Sequence, residues 1–258
     1  MTEPGTLAVI LVTCDRPLLL ADALRSVAEQ RHAPLEVRIA NDGELPAEDA
    51  VSDSGLLEVT VLPMGGRGAG AARNQAAAGA RARVLAFLDD DDRWRPDHLA
   101  GLARAFDDPD CAIAYRDCVV VREQVDPDGR RRELEQRVIA RDWDPDAMTH
   151  DDYIAPSALA VRRELFEQLG GFDESFRFSE DWDFLLRAAA RSAPRRVPGV
   201  TVEVRMREHG NLSSDRGAER RASLDRLAAR HGLPPLEIKT FWEVAGALAS
   251  PHRPAEGA

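Results

Sequence analysis

The chain has 258 residues, 44% of them hydrophobic and 31% charged, a composition that suits one soluble globular unit with a substantial core. Its net charge of -11 leaves no basic surface for a phosphate backbone, which excludes nucleic acid as the expected partner, and its single lysine, Lys239, follows no glycine-rich loop, which excludes a Walker-type P-loop. The longest apolar run, Leu7 to Val12, falls far short of the roughly 20 residues of a membrane span, and the N-terminus carries no signal-peptide pattern, so a cytoplasmic protein without a transmembrane segment is expected.

In chain order, Leu7 to Val12 reads as a buried first strand. Asp15 is positioned to cap a helix with Pro17 in its first turn and with Leu20, Leu24 and Val27 on one face. Leu35 to Ala40 and Leu57 to Leu62 read as the second and third strands. An alanine-rich helix, Ala69 to Gly79, follows a glycine loop, and a fourth strand, Val84 to Leu88, ends at four aspartates. This alternation predicts an α/β fold, a Rossmann-like and mostly parallel sheet flanked by helices.

The second half differs. Ala112 to Val121 and Glu133 to Ala140 are strand-like and flank the turn sequence Asp126 to Gly129, which predicts a hairpin and hence a mixed sheet. Arg163 to Leu169 and Glu180 to Arg191 read as helices and Val197 to Met206 as a strand. Gly217 to Arg230 and Leu236 to Leu248 are terminal helices separated by Pro234 and Pro235. Cys14, Cys111 and Cys118 cannot all pair and form no CxxC, so free thiols are expected.

The densest chemical feature is the run Asp89, Asp90, Asp91 and Asp92 directly after a buried strand. Ligands of open α/β sheets bind beyond the carboxyl ends of the strands, and hard oxygen ligands there suit Mg²⁺ or Mn²⁺ carrying substrate phosphates. A solvated turn with a helix cap before Pro96 is the plainer reading.

A hydrophobic strand ending in Asp-x-Asp-Asp, followed by an aromatic residue and a proline, resembles the DxD segment of family 2 glycosyltransferases. Further segments of that family's pattern occur in order. Val12 to Arg16 is similar to its opening segment, and Asn41, Asp42 and Gly43 to its DDG segment, with Asn41 in place of an aspartate. Gly68 to Asn74 is similar to its glycine loop and ARN segment. Gly170 to Glu174 and Ser179 to Asp183 resemble its acceptor-side segments. The resemblance spans residues 7 to 214 and departs from the pattern at Asn41 and at an Arg-rich insert around Arg130 to Arg141.

The resemblance implies a GT-A fold and metal-assisted, inverting, hexosyltransferase-type transfer from a nucleoside diphosphate sugar to an acceptor hydroxyl. Residues 1–214 would form the GT-A domain, with a nucleotide-sugar-binding half over about 1–110 and an acceptor-side half over about 111–214. Residues 215–258 would be a helical extension.

Donor-binding candidates are Thr13, Asp15, Asp42, Arg73, Asp89 and Asp90. Asp42 could equally belong to an ordinary turn and Arg73 to an exposed helix face. Asp91 is the expected metal ligand, assisted by Asp89 or Asp92, with His209 either a further ligand or a plain loop histidine. Asp181 matches the family's general base, which takes a proton from the acceptor hydroxyl as the new bond forms. Glu180 and Asp183 would orient it or favour the helix dipole, and Trp182 would stack on a sugar or simply pack. Arg205 and Arg207 alternate on a strand and are expected to face solvent. The acceptor is open between a saccharide, a lipid-linked molecule and a small molecule. Two competing readings are a noncatalytic nucleotide-sugar-binding module and a sugar-phosphate nucleotidyltransferase, although the latter should carry a glycine-rich loop where this chain has TCDRP.

Overall fold

A computed structural model describes residues 6–126, 130–207 and 216–248. Four strands, β1 (Leu7–Thr13), β2 (Glu36–Asn41), β3 (Val59–Pro63) and β4 (Val84–Asp89), lie parallel in the order β3-β2-β1-β4. Helices α1 (Pro17–Ala28), α2 (Glu48–Ser54) and α3 (Ala69–Ala78) connect them. All seven residues of β1 are buried, as expected for a strand covered on both faces by crossover helices.

The chain continues through β5 (Arg93–Trp94), α4 (His98–Phe106), β6 (Ile113–Val125), β7 (Arg131–Ile139), α5 (Pro145–Met148), β8 (Leu159–Arg162), α6 (Arg163–Gln168), α7 (Glu180–Ala189), β9 (Arg195–Arg207), α8 (Ala218–His231) and α9 (Phe241–Leu248). The sheet extends from β4 through β8, β6 and β9 to β5, and β7 pairs with β6. β8 runs antiparallel to both β4 and β6, while β9 runs parallel to β6. The expected hairpin is present: β6 and β7 pair antiparallel, and the Asp126 amide donates to the Arg130 carbonyl at 2.9 Å. The Arg-rich insert is therefore largely a sheet strand.

Several boundaries differ from the sequence reading, each for a local reason. Asp15 does not cap α1; its carboxylate accepts from the Glu44 and Leu45 amides instead, both at 2.7 Å. α2 buries only Ala50 and so carries no helical periodicity in its sequence. α9 starts at Phe241 rather than Leu236. Cys111 and Cys118 are buried and Cys14 is exposed, all three as free thiols. Among the described residues no helix is long and apolar enough to cross a membrane.

Candidate functional site

Pairing of parallel strands brings their carboxyl ends level. Thr13 sits opposite Asn41, and Val12 opposite Asp89, so the residues that follow β1, β2 and β4 share one edge of the sheet. There the Thr13 hydroxyl donates to Asp90 Oδ2 at 2.7 Å, and Arg16 spans Asp90 and Asp91, with Nη1 2.9 Å from Asp91 Oδ2. Arg207, at the end of β9, donates to the same Asp91 oxygen at 2.7 Å.

The four aspartates thus have separate roles. Asp90 is fully buried, and burial lifts its pKa to about 7 against the pull of Arg16. Asp92 is also buried: Oδ2 accepts from the Ser157 hydroxyl at 2.6 Å and Oδ1 from the Arg205 amide at 2.9 Å. Burial holds the Asp92 carboxyl well above its usual range. Through these two bonds Asp92 fixes β9 to the end of β4 at the cavity edge. Asp89 and Asp91, at 26% and 15% side-chain exposure, line the cavity.

Two supports hold the glycine loop. Asp42 accepts from the amides of Arg67 at 2.7 Å and Gly68 at 2.8 Å. Gly68 has φ 93°, a backbone that side-chain-bearing residues rarely adopt, and it delivers the chain into α3. A Cβ on Gly43 would overlap the side chain and amide of Asp15, so the second turn requires glycine to let the loops after β1 and β2 touch. Asp15 itself, at φ 54°, serves this loop packing.

Arg73, on α3, is 4% exposed, which overturns the exposed-face alternative. Its guanidinium joins Asp89 Oδ1 at 2.6 Å to Glu180 Oε1 at 2.8 Å, so it bridges the strand-edge aspartates and the start of α7. Burial opposes its charge, but Asp89 and Glu180 hold the pKa above its ordinary value. Burial raises Glu180 to about 7 and also lifts Asp181. Asp181 is half-buried and lines the cavity, with Oδ1 accepting from the Trp182 amide at 2.9 Å. Ser179, just before α7, has φ 63°, so a non-glycine residue holds a left-handed backbone at the point where this pair of carboxylates enters.

Trp182 is 6% exposed, and its indole donates to the Met148 carbonyl at 2.9 Å; it is a packed wall residue with a face on the cavity. Asp183 points elsewhere, to Arg187, Arg230 and His231.

These groups surround a cavity of about 560 Å³. Of the expected site residues Thr13, Asp42, Arg73, Asp89, Asp91, Asp92, Glu180, Asp181 and Trp182 line it; Asp15 and Asp90 stand behind the wall. His209 lies outside the described residues. Arg205 and Arg207 are not solvent-facing. Arg205 is 5% exposed and bound to Glu123 and Glu203, and Arg207 turns inward to Asp91 because β9 runs beside the metal-binding candidates.

Residues that sequence reasoning passed over include Arg16, Asp152 and Lys239. Arg16 was discoverable, since it follows the strand that neighbours the aspartate strand. Asp152 and Lys239 arrive through folding of distant segments and carry no local signal.

Among the described residues no three His, Cys, Asp or Glu side chains converge into a ready-made metal cage. The donor chemistry nevertheless fits Mg²⁺ or Mn²⁺, which are commonly bound through one or two carboxylates plus substrate phosphates and water. Asp89 and Asp91 are two such carboxylates on the cavity wall, and guanidinium groups already sit against both.

The sequence profile described as "Glycosyl transferase family 2" matches residues 8–170. A relative described as an uncharacterized glycosyltransferase, YwdF of Bacillus subtilis, is 31% identical over 240 residues, which cover 91% of this chain and 87% of that protein. The O-antigen biosynthesis protein RfbC of Myxococcus xanthus is 29% identical over 208 residues, 77% of this chain but 15% of that much longer one. Among solved structures, S. aureus TarS in complex with UDP-GlcNAc matches with a TM-score of 0.67 at 18% identity, over 86% of this chain and 65% of that one. The mannosyltransferase PcManGT from Pyrobaculum calidifontis, in complex with GDP-Man and Mn²⁺, matches with a TM-score of 0.61 at 20% identity, over 95% of this chain and 69% of that one.

Proposed function

Because the chain belongs to glycosyltransferase family 2 and has its GT-A fold, we propose that it transfers a sugar from a nucleoside diphosphate sugar to an acceptor hydroxyl with inversion at the anomeric carbon. Residues 1–214 would be the catalytic unit and 215–258 an extension that completes its cavity. The observation that carries the reading is the Arg73 bridge, which joins the strand-edge carboxylate Asp89 to Glu180, the neighbour of Asp181.

In this reading Asp42 orders the glycine loop that faces the nucleotide. Asp91, with Asp89, would hold Mg²⁺ or Mn²⁺, which would offset negative charge on the departing diphosphate. Arg16 and Arg207 contact Asp91 and stand within reach of the same anion. Asp181 takes the proton of the acceptor hydroxyl as it attacks. Burial raises its pKa, which makes it a stronger base than an exposed aspartate. Arg73 keeps Glu180 and Asp89 apart from direct repulsion and so positions the base.

The structures matched with UDP-GlcNAc and with GDP-Man and Mn²⁺ support a nucleotide-sugar donor of this general kind. A thermal-shift comparison of nucleoside diphosphates with and without Mn²⁺ tests the proposal, since a ligand specific to the folded state raises its apparent stability. A metal-dependent rise is expected with at least one of them. No rise with any nucleoside diphosphate would remove the donor assignment, and binding without transfer to any acceptor would favour a noncatalytic module.

A further inference from the structure

Asp90 stands behind the cavity wall, and its main partner is a side chain that reaches past it to the front. Arg16 Nε donates to Asp90 Oδ2 at 3.1 Å, and Arg16 Nη2 lies 2.5 Å from Asp90 Oδ1. The Thr13 hydroxyl holds the same carboxylate at 2.7 Å. Asp90 is fully buried, so this forked pair pins two nitrogens of the guanidinium to the end of β4. The third nitrogen, Nη1, extends sideways to Asp91 Oδ2 at 2.9 Å. The Arg16 side chain is 31% exposed and lines the cavity beside Asp89 and Asp91.

Asp91 is a single carboxylate that serves two cations, because Arg207 donates to the same Oδ2 at 2.7 Å. The other carboxylate on the cavity, Asp89, is held by Arg73, which is 4% exposed and tied on its far side to Glu180. Arg16 and Arg73 therefore differ in freedom. Arg73 is closed in between its two carboxylates, whereas Arg16 can turn Nη1 from Asp91 to an anion in the cavity while Asp90 keeps its other nitrogens. A divalent cation on Asp91, whichever oxygen it takes, is a third positive charge on a carboxylate already shared by two, and like charges so close repel. A diphosphate in the cavity offers Nη1 another anionic acceptor and so relieves that crowding.

On the reading that the cavity binds a nucleoside diphosphate sugar with Mg²⁺ or Mn²⁺, we propose that Arg16 couples the two ligands. Pinned on Asp90, it exchanges Asp91 for the diphosphate, so metal and nucleotide each bind well only in the presence of the other. Asp90 is the pivot of the exchange, which gives a task to a buried carboxylate that stands among the metal candidates. Both ligands favour the same position of one side chain, and linkage requires each to raise the affinity of the other by the same factor.

That factor is measured on the full chain by calorimetry of UDP, GDP and dTDP, each in chelator and in excess Mn²⁺, with binding of Mn²⁺ alone followed by electron paramagnetic resonance. In the wild type, Mn²⁺ should raise the affinity of the best-binding nucleotide at least about tenfold. Arg16→Gln should bind Mn²⁺ alone severalfold more tightly and should lower the factor at least about fivefold, the remainder coming from direct contact between metal and phosphate. Arg16→Lys keeps a cation beside the buried Asp90 and so protects the fold. A single ammonium cannot hold Asp90 and also change partners, so this variant should lose the coupling as the glutamine variant does. A structural role, or simple attraction of charge, moves nucleotide affinity equally with and without Mn²⁺ and leaves the factor at its wild-type value; that result in the two variants overturns the proposal. If the wild type binds nucleotide indifferently to Mn²⁺, the metal reading fails first and the coupling with it, and if none of the three nucleotides binds, the donor reading has failed before either.

Discussion

Two carboxylates on one helix behave in opposite ways. Asp181 and Asp183 are two residues apart on α7 and so project to different sides of it. Asp181 looks into the cavity, where burial raises its pKa, as it does for Glu180, Asp152, Asp90 and Asp92. Asp183 faces α8. It is fully buried where Asp181 is half-buried, but bonds from His231 at 2.9 Å, Arg187 at 2.7 Å and Arg230 at 3.0 Å hold its pKa below the ordinary value. Asp173, beside it, is held at about 2, with burial outweighed by Ser175 and Arg230. Carboxylates that fasten the C-terminal helices are saturated with donors from the protein. Around the cavity burial outweighs the donors that the protein supplies, so the carboxyl pKa values rise, a pattern typical of functional sites.

The largest test of this contrast is Asp181→Asn. It keeps shape and removes basicity, so transfer should fall by roughly 10² to 10⁴-fold while nucleoside diphosphate affinity, read by calorimetry, stays unchanged. Equal loss of both would make Asp181 a binding or structural group. Next, Asp91→Ala should weaken nucleoside diphosphate binding in the presence of Mn²⁺ by about 10 to 100-fold and abolish its sensitivity to chelator. Indifference to both changes would remove Asp91 from the metal assignment.

Stability should separate the same two groups in the reverse sense. Asp183→Ala strands His231 and two arginines and should cost about 2 kcal/mol in denaturant unfolding, a value discounted because Arg230 can turn to solvent. Asp152→Asn removes a charge that burial disfavours and should be neutral or stabilising.

The pH dependence follows with opposite signs. A carboxylate with a raised folded-state pKa binds its proton more tightly when folded, so its contribution is complete below about pH 4 and is lost as pH rises through about 7 for Asp90 and Glu180. Asp173 works the other way: its contribution is present above about pH 4 and is lost as pH falls through about 2. Thermal stability without ligands should therefore decline from pH 5 to pH 8, and a monotonic rise over that range would contradict the assignment of the cavity carboxylates. The smallest effect serves as a baseline. The exposed Arg163–Glu167 pair on α6 touches neither group, and Glu167→Ala should change unfolding free energy by no more than about 0.5 kcal/mol.

Much of the fold was legible because its determinants are local. Apolar runs such as Leu7 to Val12 suit a strand buried on both faces, and the DPDG sequence lies between two strand-like runs that pair as β6 and β7. The segments resembling the glycosyltransferase family were equally readable, since Asn41 to Gly43, Gly68 to Asn74 and Asp89 to Asp92 each stand immediately after a strand or before a helix. Short elements were harder. β5 has two residues and β8 four, too few for any period to show.

By itself the sequence determined the family, the order of the first four strands and of the β6–β7 hairpin, and the residue types available at the strand ends, because burial periodicity and turn chemistry act over a few neighbouring residues. Tertiary structure alone decided how four adjacent aspartates divide their roles, with Asp90 buried behind the wall, Asp92 tied to Ser157 and Arg205 at the cavity edge, and Asp89 and Asp91 more exposed to the cavity. It also decided that Arg207 turns inward, that Asp183 fastens α8 while Asp181 faces the cavity, and that Lys239 meets Asp151 across 88 positions of chain. Those outcomes depend on desolvation and on charges delivered from remote strands and helices, and neither quantity exists until the sheet has closed and its neighbours are in place.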